Sequence, residues 1–158
     1  MSDEQNKQFY IQRVYTKDLS FESPNSPAVF LQEWKPDINV TLDNKAEAIG
    51  DGLYEVLLYV SVTAKQDEKT TFMVEVQQAG IFLAQGFEDG ELDPLLYIAA
   101  PNILFPYARE LVSDLVNRGS FPQFLMQPVN FEAIYLERKQ RAAAAAEKGD
   151  DADDSTKH

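Results

Sequence analysis

The chain of 158 residues contains no cysteine, and its single histidine, His158, is the last residue. The absence of cysteine excludes disulfide bonds and thiolate chemistry. One terminal imidazole also excludes a histidine-based catalytic dyad, a triad or a zinc site in the core. Glycine-rich phosphate-binding loops of the Walker or dinucleotide type are absent as well. What remains for an enzyme is carboxylate-only chemistry or divalent-cation binding through Asp and Glu.

Basic residues and long apolar runs are also scarce. The 14 Lys and Arg residues stand against 26 Asp and Glu residues, which gives a formal charge of −12. Nucleic acids and anionic membranes would repel such a chain. No run of about 18 apolar residues exists to cross a bilayer, and the acidic stretch Met1–Gln5 is the opposite of a signal peptide. We expect a cytoplasmic protein that binds no nucleic acid and does not insert into membranes.

The densest ordered acidic group comprises Glu88, Asp89, Glu91 and Asp93. Its spacing does not match a calcium-binding loop. Charged residues are seldom buried, so a solvated connector explains the group better than a site does. We therefore predict no enzymatic activity, no metal and no cofactor.

Hydrophobic periodicity predicts the fold class. Alternation of apolar and polar residues indicates four strands, at about residues 9–22, 37–43, 53–65 and 70–83. In the first strand, Arg13 and Lys17 interrupt the apolar face formed by Phe9, Ile11, Tyr15, Leu19 and Phe21. Apolar residues then recur at helical spacing after the prolines Pro101 and Pro106, which we expect to set the helix start. Gly119 is the expected C′ residue that caps the end of this helix. Asn130 is the expected N-cap of a second helix. The prediction is an α+β fold, a four-stranded antiparallel sheet with two helices packed on one face.

The first helix is apolar on more than one side. Core-type spacing selects Leu104, Tyr107, Leu111 and Leu115, whereas Ile103, Phe105 and Val116 lie outside that set. A helix that is apolar over most of its circumference must be covered on two sides, which one small sheet cannot do. We therefore predict an oligomer with this helix at the interface, through Leu104, Tyr107, Leu111 and Leu115.

Composition divides the chain into three parts. We expect residues 1–8 to be disordered, residues 9–141 to form one domain, and residues 142–158, alanine-rich and then acidic, to form a flexible tail.

Two surfaces are candidates for binding. The alternation places Asp18, Glu22 and Glu75 on the outward side of the sheet together with Met73, Leu57 and Tyr59, which suits a docking site or an ordinary solvated face. The second surface consists of apolar side chains that the sheet does not need. These residues frame an apolar groove for unfolded polypeptide, or else they complete the core: Phe30, Leu31, Trp34, Phe121, Phe131 and Tyr135.

Several motifs carry a resemblance to a known family. They are residues 11–18 (IQRVYTKD), 54–56 (YEV), 72–82 (FMVEVQQAGIF), 101–110 (PNILFPYARE), 118–122 (RGSFP) and 128–131 (PVNF). Over roughly residues 9–136 the chain resembles the SecB family, export chaperones of Gram-negative bacteria. Many relatives have a cysteine where this chain has Ala100, and alanine should be tolerated in a packed site.

The resemblance implies a homotetramer, a dimer of dimers, that acts as an ATP-independent holdase. Such a protein keeps precursor proteins unfolded and passes them to the SecA motor. Asp18, Glu22, Met73 and Glu75 match the family's SecA-docking surface, and Trp34 and Phe131 match its client groove. Phe30, Leu31, Tyr135 and Phe121 are weaker members of that groove. The family's second SecA contact, made by its C-terminal tail, is not carried over to this acidic tail.

Two alternatives stay open at this point. One is a SecB-like chaperone dedicated to a single client such as an antitoxin. The other is a carboxylate-based or ligand-binding enzyme on an α+β scaffold, against which stand the missing cysteine and core histidine.

Overall fold

The computed structural model describes residues 6–154, and for residues 150–154 it describes the backbone alone. The chain divides into two compact units between Gln127 and Pro128, inside the stretch 9–141 that the sequence predicts as one domain. The first unit contains the sheet, and the second contains the last helix.

The first unit is built on a four-stranded antiparallel sheet, which confirms the predicted α+β class. Its strands stand in the order β1-β4-β3-β2, so that β1 and β2 form the two edges. The turn between β3 and β4 places Asp67 and Glu68 at φ 53° and 64°, the left-handed pair typical of a tight hairpin. The strand bounds are β1 Gln8–Glu22, β2 Asp37–Gly50, β3 Leu53–Gln66 and β4 Lys69–Gln85.

The two central strands alternate without interruption over most of their length, and their even-numbered side chains form the core. Val60 lies opposite Val76, and Val62 lies opposite Val74. Opposed residues of an antiparallel pair share a face of the sheet. The fully buried members of this core face are Val56, Leu58, Val60, Val62, Ala64, Phe72, Val74, Val76 and Phe82.

Strand β1 does not follow the simple alternation that the sequence suggests. Its register against β4 shifts between Ile11 and Arg13 and again between Thr16 and Asp18. Each bulge adds one residue and reverses the parity of the residues after it. Tyr15, expected beside Phe9 and Ile11, therefore lies on the outward face opposite Ala79, and Val14 takes the core side opposite Gly80.

A side chain from the neighbouring strand supports the second bulge. The Gln78 side chain is buried, and its Nε2 donates a hydrogen bond to the Tyr15 carbonyl oxygen at 3.0 Å. A bulge disrupts the regular ladder, so a backbone carbonyl there needs another partner. Gln78 provides that partner from the core side of the sheet.

The helical segment after the sheet begins earlier than predicted, and the expectation that Pro101 and Pro106 set its start is wrong. Helix α1 (Asp89–Pro94) continues through a π-helical stretch (Leu95–Ala99) into helix α2 (Ala100–Arg118). The Ala100 N–H bonds the Leu95 carbonyl five residues back, just before Pro101. Proline has no N–H to give to the ladder, and a local π adjustment is one way a helix accommodates this.

Helix α2 contacts strands β3 and β4. The face that it buries differs from the predicted one, because Phe105 and Val116 belong to it whereas Tyr107 is 50% exposed. The edge strand β2 is covered less well, since Ile38 and Val40 on the core face stay 38% and 39% exposed. The buried residues of α2 are Ala100, Pro101, Leu104, Phe105, Ala108, Val112 and Val116.

The end of α2 shows why a glycine stands there. The left-handed residue after the helix is Ser120 at φ 66°, whereas Gly119 has φ −78°. A Cβ on Gly119 would lie 2.4 Å from Cζ of Phe21. Glycine is therefore required for the close approach of an aromatic ring rather than for the predicted capping conformation.

The second unit contains helix α3 (Phe131–Asp154). The Asn130 Oδ1 accepts a hydrogen bond from the Ala133 N–H at 3.0 Å, as expected of an N-cap. The helix continues through residues 142–154, part of the stretch predicted as a flexible tail. The five alanines at residues 142–146 favour this continuation because alanine has the highest helix propensity. At the other end of the chain, residues 6–8 are ordered, and both Met1–Gln5 and His158 lie outside the described residues.

Candidate functional site

An aromatic cluster in the first unit brings together three of the predicted groove residues. Phe121 stands at its centre, with ring-centroid distances of 5.3 Å to Phe30 and 5.5 Å to Trp34. Phe72 and Phe21 complete the cluster at 5.2 and 6.5 Å from the Phe121 ring. Aromatic pairs at these separations contribute stability beyond their buried area.

The position of Trp34 is defined by a hydrogen-bonding bracket, which the Gln66 side chain forms with the backbone of the two residues beside Trp34. The Gln66 Nε2 donates to the Glu33 carbonyl at 2.7 Å, and the Gln66 Oε1 accepts from the Lys35 N–H at 3.1 Å. One amide from the β3–β4 hairpin therefore holds both neighbours of the tryptophan. Earlier in the connection, Asn25 Nδ2 donates to the Thr70 carbonyl at 2.7 Å. The connection is fastened to the hairpin at two points.

The cluster has a buried base and an exposed margin. Phe72 and Phe121 are buried, Trp34 is half-buried, and Phe30 is 47% exposed. Leu31, next along the chain, is 92% exposed. Phe121 was predicted as a groove residue, but its ring is buried and packs against the rings of Phe30 and Trp34. Phe72 was not among the predicted groove residues, yet its buried ring also belongs to the cluster.

The other two predicted groove residues lie in the second unit. Phe131 begins α3 and Tyr135 follows one turn later on the same face of the helix. The Lys139 Nζ lies 4.9 Å from the Tyr135 ring centroid.

The outward face of the sheet gathers the four predicted docking residues. Glu22 lies opposite Met73, Glu75 lies opposite Ser20, and Asp18 lies opposite Gln77. These positions share one face because opposed residues of an antiparallel pair do so. Tyr59 joins them opposite Gln77 from the other side. The predicted co-location holds despite the bulges, because Asp18 and Glu22 both follow the second one.

A polar triad that the sequence analysis missed lies on the same face. The Glu55 carboxylate accepts hydrogen bonds from the Tyr15 hydroxyl at 2.5 Å and from Lys17 Nζ at 2.8 Å. These residues come from β1 and β3, and the small Ala79 of β4 stands in the row of Tyr15 between those strands. The interruption of the alternation by Arg13 and Lys17 was the sequence pattern that marks the bulges producing this arrangement.

The triad changes how its members titrate. Hydrogen bonds from Lys17 and then Tyr15 hold the pKa of the Glu55 carboxyl below its usual range. Burial, followed by the interaction with Glu55, raises the pKa of Tyr15 to about 12. Glu55 therefore stays ionised and its charge is balanced locally by Lys17.

The predicted interface residues on α2 divide into two groups. Leu104 has no exposed surface and packs near Gly80 of the sheet, so its assignment to a surface between copies is corrected. Tyr107 is 50% exposed, and Leu111 and Leu115 are half-buried. Together with the 37% exposed Ile103 they leave an apolar stripe on the helix.

The acidic group at residues 88–93 has a structural explanation. Asp89 and Glu91 occupy the first turn of α1, where carboxylates are favoured by the helix dipole, and Glu91 accepts a hydrogen bond from Lys7 at 2.6 Å. No group of three or more potential ligands within the described residues is placed to hold a metal ion. No helix in that part of the chain is long and apolar enough to span a membrane.

Comparison with known proteins decides the family. Residues 2–142 match the protein-family model of the preprotein translocase subunit SecB. The chain belongs to the SecB family. The protein-export protein SecB of Hydrogenovibrio crunogenus is 50% identical over 149 residues, covering 94% of this chain and 100% of that protein. Its counterpart from Alcanivorax borkumensis is 53% identical over 154 residues, covering 93% and 98%.

A solved structure shares the fold. A SecB-like chaperone of Mycobacterium tuberculosis, solved with a peptide from an antitoxin, superposes with a TM-score of 0.58 at 16% identity, covering 77% of this chain and 87% of that one. Family membership makes this chain an export chaperone of the SecB type, and SecB is a family of chaperones rather than of enzymes.

Proposed function

We propose that this SecB-family chain is a cytoplasmic, ATP-independent holdase that binds unfolded precursor proteins and delivers them to the SecA motor. The aromatic cluster carries the proposal. Its margin offers Phe30, Leu31 and Trp34 to solvent above buried rings. Aromatic faces accept many apolar side chains without requiring one sequence, which suits a chaperone with diverse clients.

The primary test is light scattering from a chemically unfolded precursor diluted into buffer without nucleotide. We expect the protein to suppress aggregation at about one oligomer per client. Aggregation that proceeds unchanged, with the protein folded, would refute the holdase proposal.

The cluster itself is tested by Trp34→Ala, with Tyr10→Ala as the control at an exposed aromatic on β1. Loss of a central aromatic contact should weaken binding of an unfolded client about fivefold or more, whereas the control should bind normally. Gln66→Leu, which removes the bracket around Trp34, should have an intermediate effect because it changes the position of the ring and not its chemistry. Equal affinities of all three variants for the unfolded client would show that the cluster does not bind clients.

We propose that SecA docks on the outward sheet face through Asp18, Glu22, Met73 and Glu75. Exposed carboxylates beside Met73 combine charge for steering with apolar surface for affinity. Glu75→Lys should weaken SecA binding about tenfold, measured by calorimetry, while suppression of aggregation by the same variant stays intact. Loss of client holding in Glu75→Lys would contradict this division of the surface.

We also propose that the stripe of Ile103, Tyr107, Leu111 and Leu115 on α2 joins copies of the chain into a homotetramer, a dimer of dimers. An exposed apolar stripe on an otherwise packed helix needs a cover. Tyr107→Glu should shift the mass measured by multi-angle light scattering toward smaller species. An unchanged oligomer mass for Tyr107→Glu would show that the stripe does not form the interface.

A chaperone dedicated to one client, such as an antitoxin, is the second candidate. It is favoured only by the structural relative from Mycobacterium tuberculosis, which was solved with an antitoxin peptide. The full-length relatives at about 50% identity are export proteins, and they favour the general role. Suppression of aggregation for several unrelated precursors would decide for general export.

A further inference from the structure

The outward face of the sheet carries its charge in two separate halves. The registers of the four strands assign cross-strand neighbours to rows. In the three rows that contain Glu22, Ser20 and Asp18, these described positions include four carboxylates and no cation. We call this the acidic half, and its carboxylates are Asp18, Glu22, Asp43 and Glu75.

The next two rows differ because they contain cations as well as carboxylates. Lys45 stands in the row of Tyr15, Ala79 and Leu57, and Arg13 stands in the row of Ile81, Glu55 and Glu47. The bulge at Lys17 adds a third cation, which reaches the Glu55 carboxylate at 2.8 Å. We call this the basic half, and its charged members are Arg13, Lys17, Lys45, Glu47 and Glu55.

The pairing inside the basic half leaves a positive surplus. Lys17 is held by Glu55, so the two charges largely cancel at close range. Of the remaining charged members, Arg13 and Lys45 are cations and Glu47 is the one carboxylate, and all three are exposed. Leu57, only 8% exposed, lies with Tyr15 and Tyr59 between the two halves. The face is therefore a dipole with an apolar centre rather than a uniformly acidic surface.

We propose that the basic half is a second part of the docking surface, which fixes the orientation of a protein partner by receiving carboxylates at Arg13 and Lys45. The partner then presents cations over the acidic half and acids over the basic half. This inference rests on the proposed docking of SecA to the same face and extends it to new residues. A partner segment with one sign of charge would meet repulsion on one half, and such like-charge contacts suppress wrong orientations and wrong partners.

Charge reversal distinguishes a dipolar partner from a uniformly basic one. Arg13→Glu and Lys45→Glu each replace a positive charge with a negative one, which changes the formal charge of the chain from −12 to −14. If the partner's contact surface were uniformly basic, both variants would bind it more tightly. The dipolar surface predicts the reverse, about three- to tenfold weaker binding of purified SecA, as expected for reversal of an exposed ion pair.

The matched control is Lys35→Glu, which makes the same charge change in the connection before β2. Calorimetry with SecA at low and moderate salt would be run on these three variants, on Glu75→Lys and on the unmodified chain. We expect Lys35→Glu to bind like the unmodified chain. Raising the salt concentration should reduce the differences among the variants, because exposed charges are screened. Lys45→Gln provides a milder variant should a reversal disturb folding.

The outcomes separate this inference from the proposed function. Tighter or unchanged binding by Arg13→Glu and Lys45→Glu, with Glu75→Lys impaired, would overturn the role of the basic half and leave docking to the acidic half in place. Unimpaired binding by Glu75→Lys would overturn docking at this face altogether. A changed oligomer mass for Arg13→Glu or Lys45→Glu would identify a second copy of the chain as the occupant and would also overturn the inference.

Discussion

The two faces of the sheet are made from alternate residues of the same strands, yet they differ in almost every physical respect. On β3, Leu58 is completely buried in the core, whereas its neighbour Tyr59 lies half-buried between Gln77 and Asp43. The core face is mostly apolar, with Gln78 and Asn44 as buried polar exceptions, and α2 covers it on β3 and β4. The outward face mixes charges with Tyr, Met and Leu. Most of the fully buried side chains lie on the core face, and the proposed docking residues lie on the other.

The difference teaches that neighbouring residues can be changed independently for folding and for binding. The period-two geometry of a strand sends successive side chains to opposite faces. Substitutions at even positions of β3 and β4 should therefore act mainly on the free energy of unfolding, and those at the odd positions Met73 and Glu75 should act mainly on partner affinity.

The largest effect is expected from breaking the core face. Leu58→Ala removes a fully buried side chain and should lower the free energy of unfolding by about 2–5 kcal/mol, measured by urea titration. Tyr59→Ala, one residue along, should cost about 1 kcal/mol or less because its side chain is partly in water. Similar losses of unfolding free energy in Leu58→Ala and Tyr59→Ala would contradict the idea that the core face contributes most of the stability.

A smaller effect is expected from the triad on the outward face. The pKa of Tyr15 is raised from 10.0 to about 12, so its protonated form stabilises the fold. That contribution is fully present below pH 10 and is lost as the pH rises toward 12. For Glu55 the pKa is lowered, so its contribution is present above pH 4.5 and is lost as the pH falls through the lowered pKa.

Tyr15→Phe tests this linkage. The variant should be less stable than the unmodified chain at about pH 8, and the difference should shrink at about pH 11.5, as measured by urea unfolding at both pH values. Tyr10→Phe, at an exposed tyrosine on the same strand, is the control. A gap between Tyr15→Phe and the unmodified chain that is independent of pH would show that the hydroxyl contributes by packing alone.

The smallest effect is expected from a change that involves neither face. Residues 142–149 of α3 are exposed, so truncation after Ala142 removes nothing buried there. The free energy of unfolding should change by about 0.5 kcal/mol or less, and the oligomer mass should fall only by the mass of the removed residues. A smaller assembly after truncation would show that the tail has a structural role.

The regular parts of the fold were predictable because each obeys one period. The alternation of Val56, Leu58 and Val60 defined β3, and the shared outward face of Asp18, Glu22 and Glu75 followed from the same rule. The aromatic residues Trp34, Phe30 and Phe121 could be named as a set, but which of them form the base and which the margin could not. That distinction depends on contacts between segments far apart in the chain.

Local irregularities, such as the bulges of β1 and the π-helical stretch before Pro101, were harder to predict from the sequence. The lysine and arginine that interrupt β1 mark bulges, but alternation alone cannot tell a bulge from an ordinary polar substitution. As a result Tyr15 was assigned to the wrong face, and its partnership with Glu55 was not foreseen. Pro101 was likewise read as a helix start, although a π-helical stretch lets the helix pass through it.

The sequence by itself determined the α+β class, the four strands, the absence of cysteine and of any histidine before residue 158, and the family. These follow from local periodicity, composition and motifs that are contiguous in the chain. Only the tertiary structure decided that Tyr15 and Lys17 meet Glu55, that Gly119 makes room for Phe21, and that the outward face is divided into an acidic and a basic half. Those features depend on strand register and on close packing between distant segments, which a linear pattern does not specify.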